Sequence, residues 1–471
     1  MRLPPLRRLV SLVLLAALPT AARGQTRPDS AASRGVPPRG ESPRGDSARV
    51  SRELVDSLAA RLERAEAAIT VLREQLATES QSTVHTASRV ALDLSARVLT
   101  NVAYTRGATN DPGVPQTAQA STEYTHVLGI SLRQTRVGAA VTVRDVLGGT
   151  FDGDLDLDFF GGGRDANGNR PLFPEPRFRT VRGTLDWKHT SVMVGSETPL
   201  ISDLDPLSLA SIGVTEFSAA GDLWNWLPQV RVTQSLGALG GSKLRFAVQG
   251  AVLEPFTSAI YDPTRAGGGD AGERSGRPVL ESRLRVRWGH EDPDAPTRDV
   301  RDAITGEGPS EIGVGVHRGW VEVDEDHVYM SRAVSLDARI VVAPRVELRG
   351  EAYRGRLLLG LGGGAIGQNF GRPMAGAPAG AVGTPLHDVA GWAQLNVRPT
   401  EQWLAGAGCG LDRVRDEDRP DRRQNTVCAA HVRWTPVQPV LLGLEYRRLS
   451  TLYQTGWYHA HHINLAFGFE I

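Results

Sequence analysis

Apolar and polar residues alternate with a period of two along most of the chain. Around residues 280–288, apolar side chains occupy most even positions, while Glu281, Arg283, Arg285 and Arg287 occupy the odd ones. Residues 346–352 and 440–447 repeat this pattern. Alternation of this kind is typical of β-strands with one apolar and one polar face. It predicts sixteen strands between residues 91 and 471, separated by loops rich in Gly, Pro and Asp.

Charged residues lie in the middle of nearly every predicted strand, so one face requires apolar surroundings and the other requires water. An antiparallel barrel in a membrane, with a wet lumen, satisfies both requirements. The alternative is a soluble all-β domain with its apolar face turned inward. We expect an all-β fold: a 16-stranded antiparallel transmembrane β-barrel over residues 91–471, preceded by an α-helical coiled-coil segment.

The second predicted strand changes phase in its middle. Its apolar residues lie at even positions up to Leu132 and at odd positions from Val137 onwards. One extra residue in a strand reverses the faces on which later side chains lie. We therefore predict one β-bulge at Gln134-Thr135-Arg136.

The N-terminus has the pattern of a secretory signal peptide. Arg7 and Arg8 precede a short apolar run over residues 9–18, and small residues follow at Ala21 and Ala22. A short membrane anchor is the alternative, although the run is too short to span a bilayer. We assign residues 1–24 to the signal peptide and residues 25–50, rich in Pro, Ser and Arg, to a disordered spacer.

Residues 51–80 follow a different period and contain no Gly or Pro. Apolar residues recur in alternating steps of three and four, which is the heptad pattern of a coiled coil. A lone amphipathic helix packed on its own domain is the alternative. The heptad positions that we expect to mediate oligomerisation are Val55, Leu58, Leu62, Ala65, Ile69, Leu72 and Leu76.

Composition excludes several classes of protein. The 53 basic and 53 acidic residues give a formal net charge of zero, so we expect no nucleic-acid partner. Two cysteines do not provide a four-thiolate zinc site. His459, His461 and His462 lie together, but no carboxylate near them in the sequence completes a metal site. We expect neither a metal nor another cofactor.

Four short segments and the final strand carry a resemblance to a known family. The segments are residues 133–138, 156–161, 194–198 and 227–231. Through them the barrel segment resembles the general bacterial porins, and within them the DcaP-like channels with an N-terminal coiled coil. The resemblance implies a bacterial outer membrane with its lipid as surroundings, a homotrimer, a periplasmic helix and diffusion of small polar or anionic solutes.

In general porins the long third loop folds into the lumen, which implies that residues 199–226 do so here. This acidic loop would face a basic wall and create a transverse field. We expect Arg283, Arg285 and Arg287 to form an anion-attracting strip. The alternative is that the lumen charges are merely solvated and confer no selectivity. The candidate constriction residues are Asp203, Asp205, Glu216, Arg133, Arg136, Arg182, Arg283, Arg285, Arg287 and Arg349.

The two cysteines are predicted to face each other across a hairpin. If Trp403 is placed opposite Trp434, the same antiparallel register places Cys409 opposite Cys428, with both side chains towards lipid. Either a disulfide or two neighbouring thiols satisfies this register.

Two other functions remain open from the sequence. One is a structural barrel that is tethered to the cell wall or to a partner through its helix. A barrel hydrolase would need a Ser, a His and an acid together. His189 and Ser191 are close in the sequence, but no third group accompanies them, and we expect no enzymatic activity.

Overall fold

The computed structural model describes residues 83–85, 90–121, 125–162, 174–238, 243–258, 268–289, 301, 303–378 and 381–471. The predicted signal peptide, spacer and coiled coil therefore lie outside the described residues. No helix in the described ranges is long and apolar enough to cross a bilayer.

Sixteen antiparallel strands build the described barrel. Residues 132–135 interrupt the second strand, and a short strand, Thr83–His85, pairs with the start of the first. The strands are β1 (Val90–Arg106), β2 (His126–Ser131 and Arg136–Val146), β3 (Gly149–Gly161), β4 (Glu175–Asp186), β5 (Thr190–Glu197), β6 (Leu227–Ala238), β7 (Arg245–Leu253), β8 (Val279–Gly289), β9 (Pro309–Asp324), β10 (His327–Ala343), β11 (Val346–Arg356), β12 (His387–Thr400), β13 (Trp403–Val414), β14 (Arg422–Trp434), β15 (Val440–Tyr453) and β16 (Gly456–Glu470).

Each strand pairs with its neighbours in the chain, and β16 closes the barrel on β1, for example through Leu465 opposite Val102. The predicted sixteen-stranded barrel is confirmed. We call the end where β1 begins and β16 ends the terminal end, and the opposite end the loop end.

Short helices lie in the connections at the loop end. They are α1 (Ala271–Arg274) and α2 (Gly364–Gly367), with 3₁₀ turns at Leu359–Leu361 and Asp416–Asp418.

The outer surface of the barrel carries the apolar side of the alternation. In the final strand Ile463, Leu465, Phe467 and Phe469 are all exposed, while Asn464 between them is buried in the lumen. Trp403 and Trp434 stack on the outside near the terminal end, with ring centroids 5.4 Å apart. An apolar outer band with aromatic residues at its margin is what a membrane-spanning barrel requires.

The phase change in β2 arises from one extra residue, as predicted. Asn101 of β1 faces Ser131 and Arg97 faces Arg136, so three residues of β1 oppose residues 132–135 of β2. The Thr135 hydroxyl accepts a hydrogen bond from the Leu99 backbone N–H at 3.1 Å, which fixes this irregular segment to β1. The bulge therefore keeps apolar side chains outside on both halves of the strand.

Cys409 and Cys428 lie directly opposite each other on β13 and β14, in the same register as Trp403 and Trp434. They form a disulfide with a Cα–Cα distance of 4.1 Å. The predicted register is therefore present, and of the two alternatives that the sequence leaves open the structure has the disulfide. The disulfide encloses the connection at residues 415–421 and lies on the outward face of the hairpin.

Candidate functional site

The connection between β5 and β6, residues 198–226, leaves the loop end and folds back into the lumen. We call this connection L3. The Asn101 amide of β1 donates to the Leu209 carbonyl at 3.1 Å. The Ile201 backbone N–H donates to the Glu281 carboxylate of β8 at 3.2 Å. Because β1 and β8 lie on opposite sides of the barrel, L3 crosses the lumen.

Apolar contacts hold L3 against the wall. Phe217 stacks on Trp392 of β12 with ring centroids 5.7 Å apart, and both side chains are buried. Gly221 has φ +110°, and a Cβ atom there would lie 2.4 Å from the backbone of Gly391. This close approach requires glycine, because both the dihedral angle and the space exclude a side chain. The lumen therefore contains a small apolar core as well as charges.

A buried ion network anchors the first residues of L3. The guanidinium of Arg283 lies 3.2 Å from the Asp203 carboxylate and 2.6 Å from that of Glu311. Its Nε donates to Asp337 at 3.0 Å. Arg283 is 1% exposed, and each of the three acids is also 1% exposed. Strands β8, β9 and β10 are thus tied to L3 through one side chain.

The expected anion-attracting strip does not face open water. Arg283, Arg285 and Arg287 do lie on the lumen face of β8, as predicted, but all three are buried. Arg287 pairs with Glu311 at 2.6 Å, and Arg285 lies 3.9 Å from the same carboxylate. The alternation along β8 predicts that these three arginines face the lumen. It does not predict their burial, because L3 and the acids that neutralise them come from other parts of the chain.

Arg349 is also removed from water. It is 1% exposed, its Nε donates to Glu347 at 2.8 Å, and its Nη1 donates to the Asp205 carbonyl of L3 at 3.1 Å. Arg133 lies apart from the other candidates, over the Phe160 ring at 4.1 Å and 3.8 Å from Asp111. These two candidates for the constriction therefore lie in different parts of the barrel: Arg349 contacts L3, and Arg133 belongs to the bulge of β2.

A second segment enters the lumen from the terminal end. Residues 303–308 pack across the wall, where the Ile304 carbonyl accepts a hydrogen bond from Arg339 at 3.0 Å. Arg301 lies 2.6 Å from the Glu197 carboxylate and 3.4 Å from that of Asp203. Sequence reasoning missed this contact. The sequence signal for it is the length of the connection around residues 291–310, because connections at this end of such barrels are usually short turns.

Two acids of L3, Glu216 and Asp222, are deeply buried. Burial raises the pKa of Glu216 well above that of an exposed glutamate, and the Glu445 carboxylate raises it further. Burial likewise raises the pKa of Asp222, with a further contribution from Asp205. Both shifts favour the protonated acid. The electrostatic field of L3 therefore differs from that of a loop whose acids are exposed and ionised.

Open space remains beside β1, β2 and β4. One cavity of about 590 Å³ and another of about 290 Å³ share four basic lining residues. These are Arg97, Arg136, Arg179 and Arg301.

Several ion pairs at this wall bury the acid and expose the arginine. The pairs, with the side-chain exposure of the arginine and then of the acid, are Arg136–Asp156 (34% and 11%), Arg177–Asp158 (29% and 0%) and Arg182–Glu197 (28% and 1%). In these three pairs the guanidinium group is thus more exposed than the carboxylate that it neutralises. Two other acids at this wall are more exposed. The side chain of Asp154, which pairs with Arg182, is 33% exposed, and that of Glu470, which pairs with Arg97, is 34% exposed.

The weaker candidates are not assembled into a site. Ser191 is buried, while His189 lies exposed in the preceding turn. His459 and His461 hydrogen-bond to Ser450 and Tyr446, and His462 hydrogen-bonds to Thr105. The three histidines therefore point to different neighbours.

No protein-family model matches the chain, and no curated protein matches it. Among solved structures, the barrel is similar to the outer membrane channel DcaP of Acinetobacter baumannii. The TM-score is 0.58 at 15% identity, covering 83% of this chain and 100% of that chain. The expected resemblance to DcaP-like porins is thereby confirmed at the level of fold: the chain has the porin barrel architecture.

Two further porins overlap less closely. The anion-selective porin from Comamonas acidovorans gives a TM-score of 0.48 at 13% identity, covering 81% of this chain and 100% of that chain. OmpF of Salmonella typhi gives 0.48 at 8% identity, covering 83% of this chain and 100% of that chain.

Proposed function

We propose that this chain is an outer-membrane porin through which small hydrophilic solutes diffuse passively, with a preference for anions. The apolar exterior, the charged lumen and the inserted L3 support a channel. The anion preference rests on the three lumen pairs in which arginine is exposed and its acid is buried. The terminal end would face the periplasm, because most of its connections are short turns and the long connections lie at the loop end.

Neutralising exposed lumen arginines should move selectivity towards cations. We expect Arg136→Gln and Arg182→Gln each to shift the reversal potential in a KCl gradient in that direction, because each removes an accessible positive charge. The measurement is a planar-bilayer recording. Arg345→Gln is the control, because Arg345 pairs with Glu401 in an exposed turn outside the lumen. Identical reversal potentials in all variants would contradict the proposal.

We further propose a homotrimer stabilised by the predicted coiled coil, on the basis of its heptads. Leu62→Asp with Ile69→Asp should weaken the oligomer, because both place charge in the apolar seam. Native electrophoresis checks this. Ala60→Asp with Ala67→Asp adds the same charge at outward heptad positions and should leave the trimer intact. Equal oligomer stability in both double variants would assign the helix a different role, such as a tether.

A further inference from the structure

Three potential metal ligands from separate parts of the chain meet at the edge of the larger cavity. They are Glu216 of L3, His431 of β14 and Glu445 of β15, and one ligand atom from each lies within 4.8 Å of the others. His431 and Glu445 are direct cross-strand partners. The barrel register fixes two of the groups, and the docking of L3 brings in the third.

His431 differs from His317, another buried histidine of the wall. It is 8% exposed, and neither ring nitrogen has a hydrogen-bond partner. His317 is 6% exposed, but one nitrogen pairs with Glu281 at 2.8 Å and the other with Ser331 at 2.9 Å. A buried polar group without a partner costs free energy. The ring nitrogens of His431 are therefore available to bind a ligand that lies between the surrounding carboxylates.

Neighbouring side chains orient the two acids. Gln394 donates to Oε2 of Glu216 at 2.9 Å, and Oε1 of Glu216 has no hydrogen-bond partner. Ser208 donates to Oε2 of Glu445 at 2.6 Å. Outer contacts of this kind orient metal ligands and hold them in place.

The local charge suits a cation. Arg447 donates to Glu445 at 2.6 Å and lies 4.0 Å from Oε1 of Glu216, so it compensates one of the two carboxylates. When both acids are ionised, one negative charge remains beside a neutral imidazole. Either a shared proton or a bound cation would relieve the repulsion between the acids.

We propose that Glu216, His431 and Glu445 bind a divalent transition-metal ion, with Zn²⁺ as the best fit. One imidazole and two carboxylates are ligands that Zn²⁺ accepts, with water filling a fourth position. Three ligand atoms that are 4.8 Å from one another lie about 2.8 Å from the point midway between them. Zinc–ligand distances are ~2.1 Å, so a small inward movement of the three side chains completes the site. His431 and Glu445 line the cavity of about 590 Å³, through which the ion would enter.

An ion at this position would join L3 to two wall strands. It would also add positive charge beside the open part of the lumen. Neither consequence depends on which solute the channel passes, and zinc binding itself does not require the channel to be open.

Zinc titration of the chelator-treated, full-length protein in detergent tests the site. We expect the wild type to bind one Zn²⁺ more than Glu216→Gln or His431→Asn, because each variant removes a ligand. The loss of affinity should exceed the roughly 10–100-fold that removing an outer-shell partner costs. X-ray absorption of the zinc-loaded wild type should show one imidazole nitrogen, with oxygen completing the shell.

His317→Asn is the matched control and should bind zinc as the wild type does, because that imidazole is already paired. Heat-dependent gel mobility reports the folded barrel in each variant. Glu216 lies on L3 rather than on a strand, so Glu216→Gln keeps the test valid even if His431→Asn does not fold. Equal zinc stoichiometry and affinity in the wild type, Glu216→Gln and His431→Asn would overturn the proposal.

Discussion

Replacing Arg283 with glutamine should lower the free energy of unfolding by about 3–5 kcal/mol, the usual cost of leaving buried charges unpaired. Arg283 lies among Asp203, Glu311 and Asp337, all of them buried. Glutamine cannot neutralise these acids. Urea unfolding of the barrel in lipid vesicles, followed by tryptophan fluorescence, gives the free energy.

Arg345→Gln provides the comparison, because its pair with Glu401 is exposed at 46% and 71% of the two side chains. An exposed pair contributes about 0–1 kcal/mol. If both variants unfold at the same urea concentration, the Arg283 network does not stabilise the fold. The contrast therefore separates a buried network from a surface ion pair.

Removing the tip of L3 should raise the single-channel conductance several-fold. Residues 207–219 occupy the lumen, and a short Gly-Ser linker in their place would leave water in the space between the walls. Wall groups such as Gln394 and Glu445 would become hydrated rather than remain buried without partners. Planar-bilayer recordings in concentrated KCl measure the change.

Shortening an exposed loop instead serves as the control. Residues 374–378 lie outside the lumen and are fully on the surface. Their deletion should leave the conductance unchanged. A conductance that rises equally in both variants, or in neither, would show that L3 does not limit the channel.

The sequence predicts the parts of the molecule that depend on strand phase. The alternation at residues 280–288 identifies which side chains face the lumen, because the period of a strand is two. The phase change after Leu132 locates the bulge. The Trp403–Trp434 register locates the disulfide. Each of these rests on residues close together in the chain or joined by one hairpin.

The sequence does not predict what covers the wall. The burial of Arg285 depends on L3 and on acids from other strands. Arg301 contacts Glu197, which lies 104 residues away in the chain. Glu216 is separated in the sequence from His431 and Glu445, and no local spacing relates them. Such contacts depend on where loops pack in the closed barrel, which local patterns do not encode.

The route of L3 has a consequence for the order of assembly. Asp203 meets Arg283 of β8, whereas Ser208 meets Glu445 of β15. These contacts are long-range in the chain, so they form only after distant strands are side by side. A one-residue slip would turn the lumen charges of a strand towards lipid and leave the loop without its partners. A docked L3 is thus a built-in check that the barrel has closed in the correct register.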